Sequence, residues 1–216
     1  MNDIYIGVYG ASGFGKEVMP LVRQQFPHLA TEQFVFIDDS NNIQQLNGYK
    51  VLSFDQFIQH KASIKKVTIA IANSKVREEL IEKLNTESIQ HLDVKAENVI
   101  RLDDVMIGKG SILCPFVCLT SNIKIGKFFH ANIYSYIAHD CIIGDYVTFA
   151  PGVKCNGNII IEDHAYIGTG AVIKQGTPDK PLVIGKGAVV GMGAVVTKSV
   201  PAGVTVIGNP ARPLVR

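Results

Sequence analysis

Apolar residues recur at every sixth position through the middle of the chain. One ladder runs Ile107, Leu113, Leu119, Ile125, Ala131, Ile137, Ile143, Phe149, Cys155, Ile161, Ile167, Ile173. A second begins two residues earlier: Val105, Ser111, Val117, Ile123, Phe129, Ser135, Cys141, Val147, Val153, Ile159, Ala165, Ala171. Its members are small or β-branched, apart from Phe129. A period of six fits neither an α-helix nor an alternating strand. It predicts a parallel β-helix of hexapeptide repeats, three hexads to a turn, with the ladders stacked inward. After Ile173 the next residue in register is Ile184, where six steps would give 179. Extra residues within 176–182 (GTPDKPL) therefore bulge as a loop from one corner. The hexads resume through Ile184, Val190 and Val196. The closing stretch 199–216 carries three prolines and two glycines, and it is expected to cap the otherwise unpaired end.

Before the coil the pattern changes. IYIGVY (4–9) reads as a buried strand, and KEVMPLVRQQF (16–26) as an amphipathic helix. FVFIDD (34–39) is a second strand, GYKVL (48–52) a short edge strand, and SFDQFIQHKA (53–62) a helix capped by Ser53. VTIAIAN (67–73) is a third strand, and SKVREELIEKLN (74–85) a helix capped by Ser74, with Glu78 and Glu82 near Lys83. Strands alternating with helices predict a Rossmann-like α/β domain with a parallel sheet over residues 1–95. The β-helix domain then covers 96–216.

The turn between the first strand and helix is Gly10, Ala11, Ser12, Gly13, Phe14, Gly15. This G-x-x-G-x-G spacing suits a nucleotide loop, since glycines admit a ligand to the backbone and the helix N-terminus offers N–H groups to phosphate. A tight structural turn is the other reading. Asp38 and Asp39 end the second strand, where an acid can hold a ribose or base or simply sit in a solvated turn. The domain is too short for two mononucleotide halves, which argues against a dehydrogenase.

Composition narrows the partners. Net charge is +2, with 47% hydrophobic and 19% charged residues and no Lys/Arg run, so nucleic acid is not expected. The first residues lack the basic and apolar regions of a signal peptide, and no apolar run is long enough to span a membrane. Cys141 and Cys155 lie on the inward ladders and read as core thiols. Cys114 and Cys118 have no matching second pair, so no metal site is expected. This cysteine usage fits a reducing cytoplasm.

The coil holds His130, His139 and His164, none on an inward ladder, so all three are expected to project outward or into corners. Only His139 is followed by an acid, Asp140. A carboxylate beside an imidazole favours its protonated form and suits a general base. No G-x-S-x-G elbow is present. Lys198 and Arg212, near the closure, read either as phosphate contacts or as solvated charges.

The hexapeptide ladders, the GTPDKP insertion and the VPAGVTVIGNPAR closure, preceded by YGASGFG and FIDD, resemble the left-handed β-helix acyltransferases. Over nearly the whole chain the sequence is similar to bacterial sugar O/N-acyltransferases of nucleotide-sugar pathways. The resemblance implies a left-handed coil, a homotrimer with active sites between subunits, and acetyl-CoA as co-substrate along a coil edge. It implies transfer of acetyl to the 4-amino group of a UDP-linked deoxyamino sugar. Gly10, Ser12, Gly13, Phe14 and Gly15 would lie along its phosphates, Asp38 and Asp39 would hold uracil and ribose, and Ala72 and Asn73 would line the cleft. His139 would be the catalytic base and Asp140 the acid that tunes it. The Gly157 amide would receive the thioester carbonyl. Thr169, Gly170, Met192, Gly193, Pro210, Ala211 and Arg212 would touch the cofactor. Thr148 stands there too, where many members have a second histidine; it hydrogen-bonds but takes no proton near pH 7. Two alternatives remain open on the same residues: O-acetylation of a sialic acid or other sugar, and a non-catalytic partner of a sugar-biosynthetic enzyme.

Overall fold

The computed structural model describes residues 4–40 and 43–214. They fall into two compact units, 1–95 and 96–216. Val215 and Arg216, the tail of the closure, lie outside the described residues.

The first unit is a six-stranded sheet flanked by helices. Strands β1 (Ile4–Tyr9), β2 (Phe34–Ile37), β3 (Gln45–Leu46), β4 (Tyr49–Leu52), β5 (Ile64–Ile69) and β6 (Gln90–His91) pair in the order β3-β4-β2-β1-β5-β6. All pairs are parallel except β3 with β4. The expected edge strand at 48–52 is thus one place inside the edge: Gln45–Leu46 folds back on it through Asn47 and Gly48, both at positive φ. Helix α1 covers Gly13–Gln25, α2 Phe54–Gln59 and α3 Ser74–Thr86. Ser53 caps α2, its hydroxyl accepting from the Gln56 N–H at 3.2 Å. In α3 the cap is Asn73, one residue earlier than expected. Its side chain takes the N–H groups of Lys75 and Val76, and Ser74 enters the first turn. Lys83 does not meet the glutamates of its own helix. It reaches Asp39 at 3.4 Å and lies 4.2 Å over the Phe54 ring, while Glu78 pairs with Lys75.

The second unit is the coil. Strands of two or three residues stack at eighteen-residue intervals, as in Ile112↔His130↔Thr148↔Tyr166. On each of the three faces one interval lengthens to twenty-three, at Ile159↔Leu182, Tyr166↔Val189 and Val172↔Val195, which absorbs the loop before Leu182. Both ladders point inward, and every member is buried except Ile107, which packs partly exposed against that core. A Phe149→Ala change would leave a cavity costing about 3–5 kcal/mol. The closure is a hairpin: Thr205–Ile207 continues one face, and Arg212–Pro213 pairs antiparallel with it.

A third sixfold series emerges in the backbone. From Asp104 to Gly170, every sixth residue has positive φ: 104, 110, 116, 122, 128, 134, 140, 146, 152, 158, 164 and 170. Each corner thus turns on one left-handed residue. Asp, Asn and Gly adopt that conformation at low cost. Aromatic residues do not, and here they stack for support: Phe116 on Tyr134 at 4.9 Å, and Tyr146 between Phe128 and His164 at 5.5 and 5.0 Å.

Candidate functional site

Each unit carries one cluster of the expected residues. In the first, Gly10, Asp38 and Asp39, and Ala72 and Asn73 follow the C-terminal ends of β1, β2 and β5, where ligands of open α/β sheets bind. The turn is shorter than the spacing implied, because Gly13 to Gly15 already belong to α1. Gly15 is forced by packing: a Cβ there would stand 1.8 Å from the Gly10 carbonyl oxygen. Gly10 has φ +112 and leaves only 2.9 Å to the Ala70 oxygen. Around Gly13, by contrast, nothing lies within 4 Å of a Cβ position, and Ser12 makes no side-chain cap. The Ser12 side chain therefore leaves the opening turn of the helix without a cap.

The two acids differ. Asp39 is held by the protein itself: it accepts from the Tyr9 hydroxyl, from the Phe54 N–H at 2.8 Å and from Lys83. Partial burial pushes its carboxyl up, but these donors outweigh it and the net shift is downward. Tyr9 is pushed up by burial and by that same bond. Asp38 is half-buried and spends one oxygen on the Ser40 N–H at 2.9 Å. Of the pair, Asp38 is the one with acceptor capacity to spare.

In the coil, His139, Asp140 and Gly157 meet on one corner. Asp140 sits at a left-handed position, φ 59, which turns its carboxylate back onto the preceding side chain. His139 Nδ1 is 2.7 Å from Asp140 Oδ2, and Asn122 Nδ2 donates to Oδ1 at 3.2 Å. The bond from His139, then that from Asn122, hold the Asp140 carboxyl below the usual carboxylate range. With Nδ1 donating to an anion, the Nε2 lone pair is left for chemistry. The pair is half-exposed. Gly157 lies under the imidazole, one turn on, and its N–H donates to no group among the described residues. The 156–157 turn is clamped from both sides. The Tyr136 hydroxyl donates to Asn156 Oδ1 at 2.8 Å, and Asn156 Nδ2 donates to the Ile173 carbonyl at 2.7 Å. Tyr136 and Asn156 escaped the sequence reading. Tyr136 occupies an outward strand position, and only the fold brings it twenty residues along to Asn156.

The remaining cofactor candidates lie elsewhere on the coil. Thr169, Gly170, Met192 and Gly193 stack on a second corner, with the Gly193 N–H donating to the Thr169 carbonyl at 2.8 Å, and Met192 is 81% exposed. Pro210, Ala211 and Arg212 form the closing hairpin, and the Ala211 N–H donates to the Val195 carbonyl. Thr148 is 2% exposed, flanked in register by buried His130. His130 faces outward by register as expected, yet it is buried. No cluster of three or more His, Cys, Asp or Glu able to hold a metal occurs among the described residues. None of the described helices is long and apolar enough to cross a membrane.

Comparison with known proteins matches both units. Residues 5–84 match the PglD N-terminal domain, and residues 122–157 the bacterial transferase hexapeptide repeats. GDP-perosamine N-acetyltransferase of Escherichia coli O157:H7 is 51% identical over 97% of this chain and 96% of its own length. The solved structure of WeeI from Acinetobacter baumannii AYE has 75% identity and a TM-score of 0.97, covering 98% of this chain and all of that one. The acetyltransferase domain of PglB from Neisseria gonorrhoeae FA1090, in complex with acetyl coenzyme A, has 25% identity and a TM-score of 0.84. That match covers 99% of this chain and all of that domain.

Proposed function

The chain belongs to the nucleotide-sugar N-acetyltransferases built from a PglD N-terminal domain and a hexapeptide coil, and from that premise we propose how it works and on what. It is an acetyl-CoA-dependent acyltransferase with the left-handed β-helix of that family. Its acceptor, we infer, is the 4-amino group of a nucleoside-diphosphate-linked 4-amino-4,6-dideoxy sugar. The observation that carries the mechanism is the His139–Asp140 pair standing over Gly157.

The amine attacks in its neutral form. As nitrogen bonds to the thioester carbonyl carbon, Nε2 of His139 takes a proton from it, and Asp140 steadies the resulting imidazolium through Nδ1. The carbonyl oxygen becomes an oxyanion, met by the Gly157 N–H; one such donor is typically worth about 3 kcal/mol. Collapse of the tetrahedral intermediate breaks the carbon–sulfur bond, and the imidazolium returns its proton to the CoA thiolate. The coil thiols Cys141 and Cys155 are buried and play no part in an acyl-enzyme.

The nucleotide lies at the β1–α1 turn, its diphosphate toward the N-terminus of α1 at Gly13, with Asp38 as the acid toward ribose or base. The base is the point on which the supports diverge. The family resemblance favours a UDP-linked sugar. The Escherichia coli relative is named for GDP-perosamine, which favours a guanine nucleotide as the second reading. Cofactor contacts from Thr169, Gly170, Met192, Gly193 and Pro210 to Arg212 come from a neighbouring copy in a homotrimer. The outward positions Met106 and Ile142 on one coil face, 65% and 49% exposed, supply apolar surface for that assembly. The four free cysteines fit a reducing cytoplasm.

The test is thiol release from acetyl-CoA with GDP-perosamine, UDP-4-amino-4,6-dideoxy-N-acetylglucosamine, and free or CMP-linked sialic acid. Turnover with a 4-amino sugar nucleotide supports the proposal, and the preferred base decides between the two readings. Turnover only with a sialic acid would replace it with O-acetylation, and turnover with none with a non-catalytic role.

A further inference from the structure

Two thiols lie against the inner side of the Gly157 turn. Cys141 stands in an inward column with Val105, Ile123, Ile159 and Leu182. Cys155 stands in another with Leu119, Ile137, Ile173 and Val196. Every other member of the two columns is aliphatic, and sulfur enters both beside the turn that carries Gly157. An aliphatic side chain would fill the core there as well, but only a thiol can donate a hydrogen bond.

The acceptor is specific. Cys141 Sγ donates to the Asn156 carbonyl at 3.2 Å, while the His139 carbonyl is farther, at 3.5 Å. Cys155 Sγ lies 3.9 Å from the same Asn156 oxygen. The Asn156 C=O and the Gly157 N–H are the two ends of one planar trans peptide, so they point in opposite directions. A thiol that draws the carbonyl into the core therefore turns the amide out of it. A donor on the carbonyl also polarises the peptide and strengthens its N–H. The Tyr136 hydroxyl holds the side chain of residue 156, and the thiols hold its backbone from within.

We propose that Cys141, backed by Cys155, is a positioning residue for acyl transfer: its thiol holds the Asn156–Gly157 peptide so that the Gly157 amide meets the oxyanion. The proposal rests on the reading of His139 and Gly157 as the acyl-transfer centre. No covalent step is involved. Both side chains are buried, and both stay thiols through the reaction.

The test compares Cys141→Ala with Cys141→Ser in the full chain. The two replacements leave nearly the same space behind, and only serine keeps a donor. The first readout is the infrared stretch of the thioester carbonyl of acetyl-CoA, labelled with carbon-13 at that carbon and bound without any acceptor. A hydrogen bond to the oxygen lowers this frequency. Wild type and Cys141→Ser are expected to lower it alike relative to free acetyl-CoA, and Cys141→Ala to lower it less. The second readout is kcat with a 4-amino sugar nucleotide. Cys141→Ala is expected to lose about fivefold, the scale of one neutral hydrogen bond, with the KM for acetyl-CoA unchanged and Cys141→Ser near wild type. Cys155→Ala removes the second thiol and is expected to move the band in the same direction. A band unmoved in both alanine variants, or a kcat loss as large in Cys141→Ser as in Cys141→Ala, would overturn the proposal. A thioester band unshifted in wild type would overturn the reading of Gly157 as the oxyanion donor, and the proposal with it.

Discussion

His139 fills the space that a side chain on residue 157 would occupy. A Cβ on Gly157 would stand 2.6 Å from both Cε1 and Nε2 of the imidazole. Base and amide are therefore packed as one object, and the glycine is required by the histidine above it. Gly157→Ala is expected to push the ring off its place over the amide. Turnover should fall by about 10²-fold or more, as when an oxyanion donor is lost, while the coil folds as before. Steady-state kinetics alongside circular dichroism would check both halves.

Asp140 holds Nδ1 of His139 and leaves Nε2 for the proposed proton transfer. Asp140→Asn keeps an acceptor for Nδ1–H but removes the charge that steadies the imidazolium. A loss of roughly 10–100-fold in kcat is expected, the usual scale for a partner that orients an active group. The KM for acetyl-CoA should stay near wild type. An equal loss in cofactor affinity would mean that Asp140 touches the cofactor instead.

The Tyr136–Asn156 bond predicts a positioning effect. Tyr136→Phe removes one donor at 2.8 Å and leaves the ring packing. The lost hydrogen bond is worth about 1 kcal/mol. The looser 156–157 turn should appear as a several-fold fall in kcat with both KM values unchanged. Asn156→Ala frees the turn on both sides and should cost more. A purely structural role would lower the thermal midpoint and spare kcat.

Asp39 predicts a pH-dependent stability. Its carboxyl is lowered in the folded state, so its contribution is present above the ordinary carboxylate pKa and is lost as pH falls through the folded value. Asp39→Asn should therefore melt below wild type at neutral pH, and the two curves should converge in acid. Its side chain is 46% exposed, so screening keeps the effect to about 1 kcal/mol or less. Thermal melts from pH 7 down to pH 2 would show the convergence.

Much of this molecule is legible in its residues because the coil repeats. A residue that must stack on its equivalents eighteen positions away leaves a periodic trace, and the ladders at Ile107 and Val105 carry it. The left-handed corner series was equally periodic but hidden. It is met by Asp, Asn, Gly, aromatic residues and His164 in turn, so no single residue type marks it. The His139–Asp140 pair was visible because its members are adjacent in sequence. The Tyr136–Asn156 clamp was not, because it joins separate turns. Asp39 carries contacts that no spacing reveals: this strand-end acid accepts from Tyr9, Phe54 and Lys83. The α3 cap moved from Ser74 to Asn73 because Asn73 Oδ1 reaches two N–H groups at once.

The most direct test of the account is kcat for His139→Ala at saturating acetyl-CoA and 4-amino sugar nucleotide. The variant loses the base but neither the Gly157 amide nor any cofactor contact. The account predicts a fall of about 10²–10⁴-fold, with CoA affinity and assembly unchanged. A variant that turns over as fast as wild type would contradict it.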